Sequence, residues 1–381
     1  MQDVSIIGVG MTPVGEHWGY GLRDLAADAI QRVLADAGNP DINAIYVGNA
    51  FGGVFSSQAH LGTLIADHAR LGGVEAFTVS AAGASGGVAL RTAYMAVASG
   101  LVETALVVGV EKSSDAIAGT RVEARNVALD ADFEAAHGAT LPALAGLLMR
   151  RYMHEYALGL RAFEGFSINA HANGKRNPNA MFRNTVREGA FGKAPMVADP
   201  VNLFDGAPDA DGAAALILTT SERAKDLVAK PVRITGSAVA TDTLKIQDRA
   251  DMLYFDAVAR STVQALDQAG ISRDDLSLAE LNDSFTVVSA LTLESMGFAE
   301  RGNGWQFADR IALDGQLPIS TFGGLKSRGN PIGATGIYQA VEATLQLRGD
   351  AGDNQVENAH TALIQNMGGL ASTVVSHILI V

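Results

Sequence analysis

Apolar and polar positions alternate along this chain in two distinct rhythms, and the switches between them outline its elements. Val4-Ser5-Ile6-Ile7-Gly8-Val9-Gly10 is a short β-rich run ending in glycine, which predicts a buried strand. Leu22, Leu25, Ala26, Ile30, Val33 and Leu34 then recur at helical spacing, predicting a helix over 22–37 that Gly38-Asn39-Pro40 stops. Strands are expected at 44–48, 75–80 and 103–109, with helices at 58–71 and 86–99 between them. Alternating strands and helices of this kind build an α/β sheet covered on both faces.

The rhythm breaks between about Lys112 and Asp211, where the chain is more polar and carries loop signals such as Arg176-Asn177-Pro178-Asn179. This stretch reads as a large insertion or lid rather than as more sheet. From about Val232 the alternation returns, with a strand at 278–281, a helix at 284–296, a turn at Gly323-Gly324, a helix at 333–348 and closing strands at 359–365 and 372–381. The two flanking regions share a plan. In each, a Gly/Ala/Ser-rich turn feeds a small-residue helix and then an apolar strand, which points to a duplicated core. The resulting division is 1–112 for the first part of an N-terminal half, 113–211 for the insertion, 212–231 for the return, and 232–381 for the C-terminal half.

Composition narrows the chemistry. The chain has 381 residues, 48% of them hydrophobic, a formal charge of −13 and no cysteine. Its size and apolar content suit a large folded core and exclude disorder. The acidity lacks the electrostatic footprint of a nucleic-acid binder, no run approaches a membrane span, and the N-terminus does not read as a signal peptide, so a cytoplasmic protein is expected. Absence of cysteine removes disulfides, cysteine-ligated zinc and any thiolate nucleophile.

Several segments carry candidate chemistry. Gly83-Ala84-Ser85-Gly86-Gly87 satisfies G-x-S-x-G between a predicted strand and a predicted helix. A hydrolase would also need an acid and a histidine downstream, where His360 and His377 fall at predicted closing strands. The competing reading is a tight junction of small residues. Glu111 and Lys112 at a strand end face either a crevice or the core. His137, in a loop beside Gly138, is a general acid/base candidate or a solvated histidine. The most informative stretch runs from Gly323 to Gly336, GGLKSRGNPIGATG, whose glycines lead into a helix N-terminus suited to a thioester or phosphate-bearing ligand.

That stretch resembles the GGxxxxGHPxGATG signature of the thiolase superfamily, especially its archaeal and sterol-carrier-protein-type branches. Ser80–Gly87 resembles the segment around the family's nucleophilic cysteine. Asn177–Arg183 (NPNAMFR) is similar to NPxAxFR, Asp209–Ala215 (DADGAAA) to (T/S)DGAAA, Asn282–Phe285 (NDSF) to NEAF/HDxF, and Asn366–Gly369 (NMGG) to the C-terminal CxGG/NxGG. The resemblance implies a duplicated five-layer αβαβα core with an inserted loop domain. It implies a coenzyme A thioester as substrate, with Gly83, Ser85, Lys326, Gly368 and Gly369 around it and no covalently bound cofactor. A homodimer paired through an edge strand is also implied.

The same motifs mark departures. Gly83 stands at the nucleophile, Asn330 at the GHP histidine, and Ser284 and Asn366 at the acid/base cysteines, whereas Asn282 agrees with the NEAF asparagine that positions an oxyanion-hole water. Asn282 and Asn330 can both donate amide hydrogen bonds without titrating. The helix after Gly83 is expected to turn N–H groups towards a thioester oxygen. The expected activity is therefore non-covalent C–C cleavage or formation, of the retro-aldol type on a 3-hydroxyacyl-CoA. It resembles that of cysteine-free thiolase-fold aldolases of steroid side chains. Those enzymes implicate tyrosines, change their enolate-side motifs more than this chain does, and work with a small OB-fold/zinc-ribbon partner. His137 is the first candidate base, then Tyr94, Tyr254 and Tyr338; Ser85 or Ser284 is expected to hold water or a substrate hydroxyl. The alternatives are an acetyl-CoA acetyltransferase-like protein with a non-cysteine nucleophile such as Ser85, and a non-catalytic acyl-CoA-binding subunit of a partner enzyme.

Overall fold

The computed structural model describes residues 2–381. The first half runs β1 (Val4–Met11), α1 (Leu22–Asp36), β2 (Ala44–Gly48), α2 (Gly52–Phe55), α3 (Leu61–His68), β3 (Glu75–Val79), α4 (Ser85–Ser99) and β4 (Thr104–Glu111). The insertion carries α5 (Ala118–Asn126), α6 (Leu141–Glu155), α7 (Glu164–Arg176) and a ribbon of β5 (Met196–Ala198) and β6 (Val201–Asn202). Next come β7 (Gly212–Thr220) and α8 (Ser221–Leu227). The second half runs β8 (Val232–Thr241), α9 (Asp256–Ala269), β9 (Leu278–Glu280), α10 (Thr286–Ser295), α11 (Thr335–Arg348), β10 (Thr361–Gly368) and β11 (Thr373–Ile380).

The main strands form one ladder in the order β3-β2-β4-β7-β1-β8-β11-β10-β9. Outward from its middle, both directions repeat one scheme. The first strand of each half pairs antiparallel with its last (β1 with β7, β8 with β11), the last antiparallel with the strand before it in that half (β4, β10), and that strand parallel with the second (β2, β9). Duplication is thus written in the hydrogen bonding. The seam is short: Val4–Ile234, Ser5–Arg233 and Ile6–Val232 are the only paired positions between β1 and β8.

Apolar side chains sort into three clusters that define the layers. On one outer face, α1 buries Leu22, Leu25, Ala26, Ala29, Ile30 and Val33 with the outward side chains of β2, β4 and β7. Between the halves, α4 and α11 pack with side chains from strands of both. On the far face, α9 and α10 share their core with α6 and α7, so the insertion is helical and fused to the second half. β4 and β7 are buried on both faces, which their continuous apolar runs reflect. Glycine permits the central crossing: a Cβ on Gly336 would lie 2.4 Å from the Gly87 nitrogen, so α4 and α11 meet almost backbone to backbone.

Several elements differ from expectation. The helix expected over 58–71 shortens to α3 because Ser57 and His60 adopt left-handed φ values of 50° and 60°. The helix expected from Ser284 starts at Thr286, leaving Ser284 in a bend with its carbonyl accepting from the Ala207 N–H at 2.9 Å. Residues 212–220 form β7, a central strand. Among the described residues, no helix is long and apolar enough to cross a membrane.

Candidate active site

Where α4 and α11 converge, a narrow cavity opens between the two halves and the insertion. The first half contributes Phe51, Ala82 and Gly83, and the insertion contributes Arg125, Ala128, Leu129 and Leu141. The second half contributes Asn282, Ser284, Leu325, Asn330, Ile332, Met367 and Gly369. The structure therefore brings together Gly83, Asn282, Ser284, Asn330 and Gly369, which the sequence places more than 280 residues apart at the extremes.

Ala82 takes a left-handed φ of 49°, which gives the chain a sharp elbow just before α4. Gly83 sits on that elbow under the end of β10. A Cβ built there would meet the Met367 carbonyl oxygen at 2.5 Å, so the backbone has closed over the space a side chain would need. The N–H groups of Ala84 and Ser85 donate to Ala81 and Ala82, and that of Gly87 donates to Asn366 Oδ1 at 3.0 Å. These three N–H groups are engaged internally, so the expected display of helix N–H groups towards a ligand is reduced. Asn366 is fully buried and turned to α4, and its Nδ2 has no partner. Its neighbour Met367 reaches the cavity instead.

The two amides are held from opposite sides. Asn330 Oδ1 accepts from the Thr335 hydroxyl at 2.8 Å, so Nδ2 is the end Asn330 presents to the cavity. Asn282 Nδ2 lies 3.4 Å from the Met367 carbonyl, a weak contact that leaves donor capacity. Between Asn282 and Ser284, the buried Asp283 carboxylate accepts from the Leu325 N–H at 2.7 Å and the Ser320 hydroxyl at 3.0 Å. It clamps the 282–284 segment to the glycine-rich loop, and burial raises its pKa. The Ser284 side chain makes no hydrogen bond within the described chain.

Other expected residues fall elsewhere. Ser85 is buried, with its hydroxyl donating to Ala82 O at 2.6 Å and accepting from the Ala81 N–H at 2.9 Å, and it does not line the cavity. His137 is exposed at the end of a short turn outside the lining. Tyr338 is buried and donates to Thr12 O at 2.9 Å, while Tyr94 and Tyr254 are partly buried away from the cavity. His377 lies inside β11 with Nε2 3.1 Å from Gly87 O, which excludes it from a serine triad. Gly368 ends β10 and does not line the cavity.

Glu111 and Lys112 separate. Glu111 accepts from the N–H groups of Ala50, Phe51 and Gly333 at 3.0, 3.2 and 3.1 Å, knitting the cavity's two flanks together, and burial pushes its carboxyl up to about 7. Lys112 forms a buried ion pair with Asp211 at 3.0 Å. Lys326 also turns from the cavity. Its ammonium donates to Gly206 O at 2.9 Å and Leu203 O at 3.3 Å, and burial pushes it down to about 8. It lines a second, apolar cavity with Pro142, Phe182, Leu203, Phe204 and Phe285, and Arg125 borders both spaces. Sequence reasoning missed Arg125: one arginine in a polar insertion has no spacing that marks it.

Residues 4–196 match the family domain described as thiolase, N-terminal domain, and residues 238–381 match the thiolase C-terminal domain-like family. The chain belongs to the thiolase superfamily. An acetyl-CoA acetyltransferase of Methanothermobacter thermautotrophicus is 40% identical over 99% of both chains. Sterol carrier protein 2 of Rattus norvegicus is 29% identical over 97% of this chain and 70% of its own length. Among solved structures, an Ltp2–ChsH2(DUF35) aldolase superposes with a TM-score of 0.87 at 24% identity, covering 100% of this chain and 98% of that one. Of the three positions at which the family resemblance places thiols, Gly83 and Ser284 line the cavity and Asn366 does not.

Proposed function

We propose that this protein binds an acyl-CoA thioester and makes or breaks a C–C bond in it without an acyl-enzyme, by retro-aldol chemistry on a 3-hydroxyacyl-CoA. One observation carries the reading: the cavity keeps two amide donors, Asn282 and Asn330, while the nucleophile position is a glycine closed over by the Met367 carbonyl. In the forward step the β-hydroxyl loses its proton, the bond between the α and β carbons breaks, and the electron pair moves onto the thioester as an enolate. Amide donors aimed at that oxygen stabilise charge only as it develops. Ser284, with a free hydroxyl, hydrogen-bonds the substrate hydroxyl or a water that takes its proton. The second apolar cavity, beside Phe285, takes the pantetheine arm.

The 40% identity to a protein named acetyl-CoA acetyltransferase favours acyl transfer as a second reading. Its candidate nucleophile, Ser85, is buried and doubly hydrogen-bonded, which supports the first reading. The Ltp2–ChsH2(DUF35) assembly suggests a small OB-fold partner here too, and the exposed edge strand β3 suggests a homodimer. Incubation with a panel of 3-hydroxyacyl-CoA esters, with and without such a partner, is expected to release an aldehyde or ketone and a shortened acyl-CoA. Intact mass should stay unchanged throughout. An acyl adduct on the protein would overturn the reading.

A further inference from the structure

Arg125 is the only ionisable side chain lining the reaction cavity. It stands near the end of α5, among Ala128, Leu129 and Leu141, with Phe51 across the cavity. A cation in such surroundings is costly to hold unless it is paired. Asp209 Oδ1 accepts from its Nη1 at 2.6 Å, and each side chain is only 17% exposed. Asp209 is itself fixed by a backbone bridge to Asn330, so the guanidinium is anchored beside an oxyanion donor.

That pairing occupies one N–H group. A guanidinium carries five in a rigid fork, and no other hydrogen bond from Arg125 is made within the described chain. The free edge faces a space with no carboxylate of its own. Planar, bidentate recognition of a carboxylate is what such an edge does best.

We infer that the acyl group of the substrate carries a free carboxylate, which Arg125 binds beside the reacting carbons. The inference deepens the acyl-CoA reading above and rests on it. A coenzyme A phosphate is a poorer occupant, because the pantetheine arm separates the phosphates from the thioester by its whole length. The charge also gives the site a way to select substrate: a neutral acyl chain leaves the arginine's free edge unsatisfied in a desolvated place, whereas an anionic one completes it.

Titration calorimetry with CoA, butyryl-CoA and succinyl-CoA tests this, since the two esters share four acyl carbons and differ in one carboxylate. The intact protein is expected to bind succinyl-CoA at least about tenfold more tightly than butyryl-CoA, the gain typical of one charge-assisted contact. Arg125→Leu should abolish the difference and Arg125→Lys should retain part of it, each ester's affinity being referred to that of CoA for the same variant. Equal binding of the two esters by the unmodified protein overturns the inference without recourse to any variant, as does a preference that survives Arg125→Leu. Loss of CoA affinity in Arg125→Leu also overturns it, by assigning the arginine to a phosphate. If none of the three ligands binds, the acyl-CoA reading itself fails.

Discussion

At the scale of single residues, the site is defined by a position that holds no side chain and by the backbone that fills the space beside it. Gly83 is packed, with no room left for the side chain that would make it a nucleophile. Gly83→Cys is expected to lower stability by about 1–3 kcal/mol, the usual cost of overpacking, measured by urea denaturation. An unchanged midpoint would show that the Met367 carbonyl yields freely. Asn330 is the converse case, a side chain with its oxygen pinned by Thr335 and its amide Nδ2 without a partner. Asn330→Ala should lower kcat about 10²–10³-fold with little change in KM, the signature of a donor used only in the transition state. A change confined to KM would make Asn330 a ground-state contact instead. The motifs made Gly83, Asn282, Ser284 and Asn330 legible in the sequence. Arg125 and Asp283 were not, because their meaning comes from neighbours 80 and 40 or so positions away.

Elements were legible wherever burial imposes a period. The helix α1 and the strand β2 follow from apolar spacing alone, and the pairing scheme confirms the duplication that the repeated turn–helix–strand plan suggested. The strand β7 was hidden behind a run of alanines, which carry no strand preference, and only its place between β4 and β1 makes it one. Gly86, Gly87 and Gly336, in the first turns of α4 and α11, serve the close crossing of the two helices rather than a ligand. Glu111 joins the end of β4 to the loops before α2 and α11, and it makes this junction pH-dependent. Its carboxyl titrates near 7 when folded against about 4.5 unfolded, so its contribution is complete below about 4.5 and is lost as pH rises through 7. Burial raises the Glu280 and Glu342 carboxyls in the same direction. Thermal midpoints should therefore fall as pH rises from about 4.5 to 7, and Glu111→Gln should flatten part of that slope. A midpoint that climbs across this window would contradict the burial argument.

For the whole molecule, two halves meet at a three-pair seam and share a central layer, and the cavity proposed as the reaction site sits where that layer meets the insertion. Loss of either half would remove part of the lining. The ladder exposes β3 at one end, with Phe77 42% exposed on it. The proposed homodimer uses this edge, so the protein should elute at twice its monomer mass, and Phe77→Arg should shift it towards monomer; a monomeric unmodified protein would remove the interface. The opposite end differs. The strand β9 has three residues, all buried, and its outer side is closed by the chain at 318–319, with the Ala279 N–H donating to Pro318 O at 2.9 Å. A sheet open at one end and sealed at the other can join one copy of itself across a two-fold axis and then offers nothing to a third. The fold thereby limits any assembly through β3: with β9 sealed, the proposed pairing there has no second edge from which to grow into a fibre.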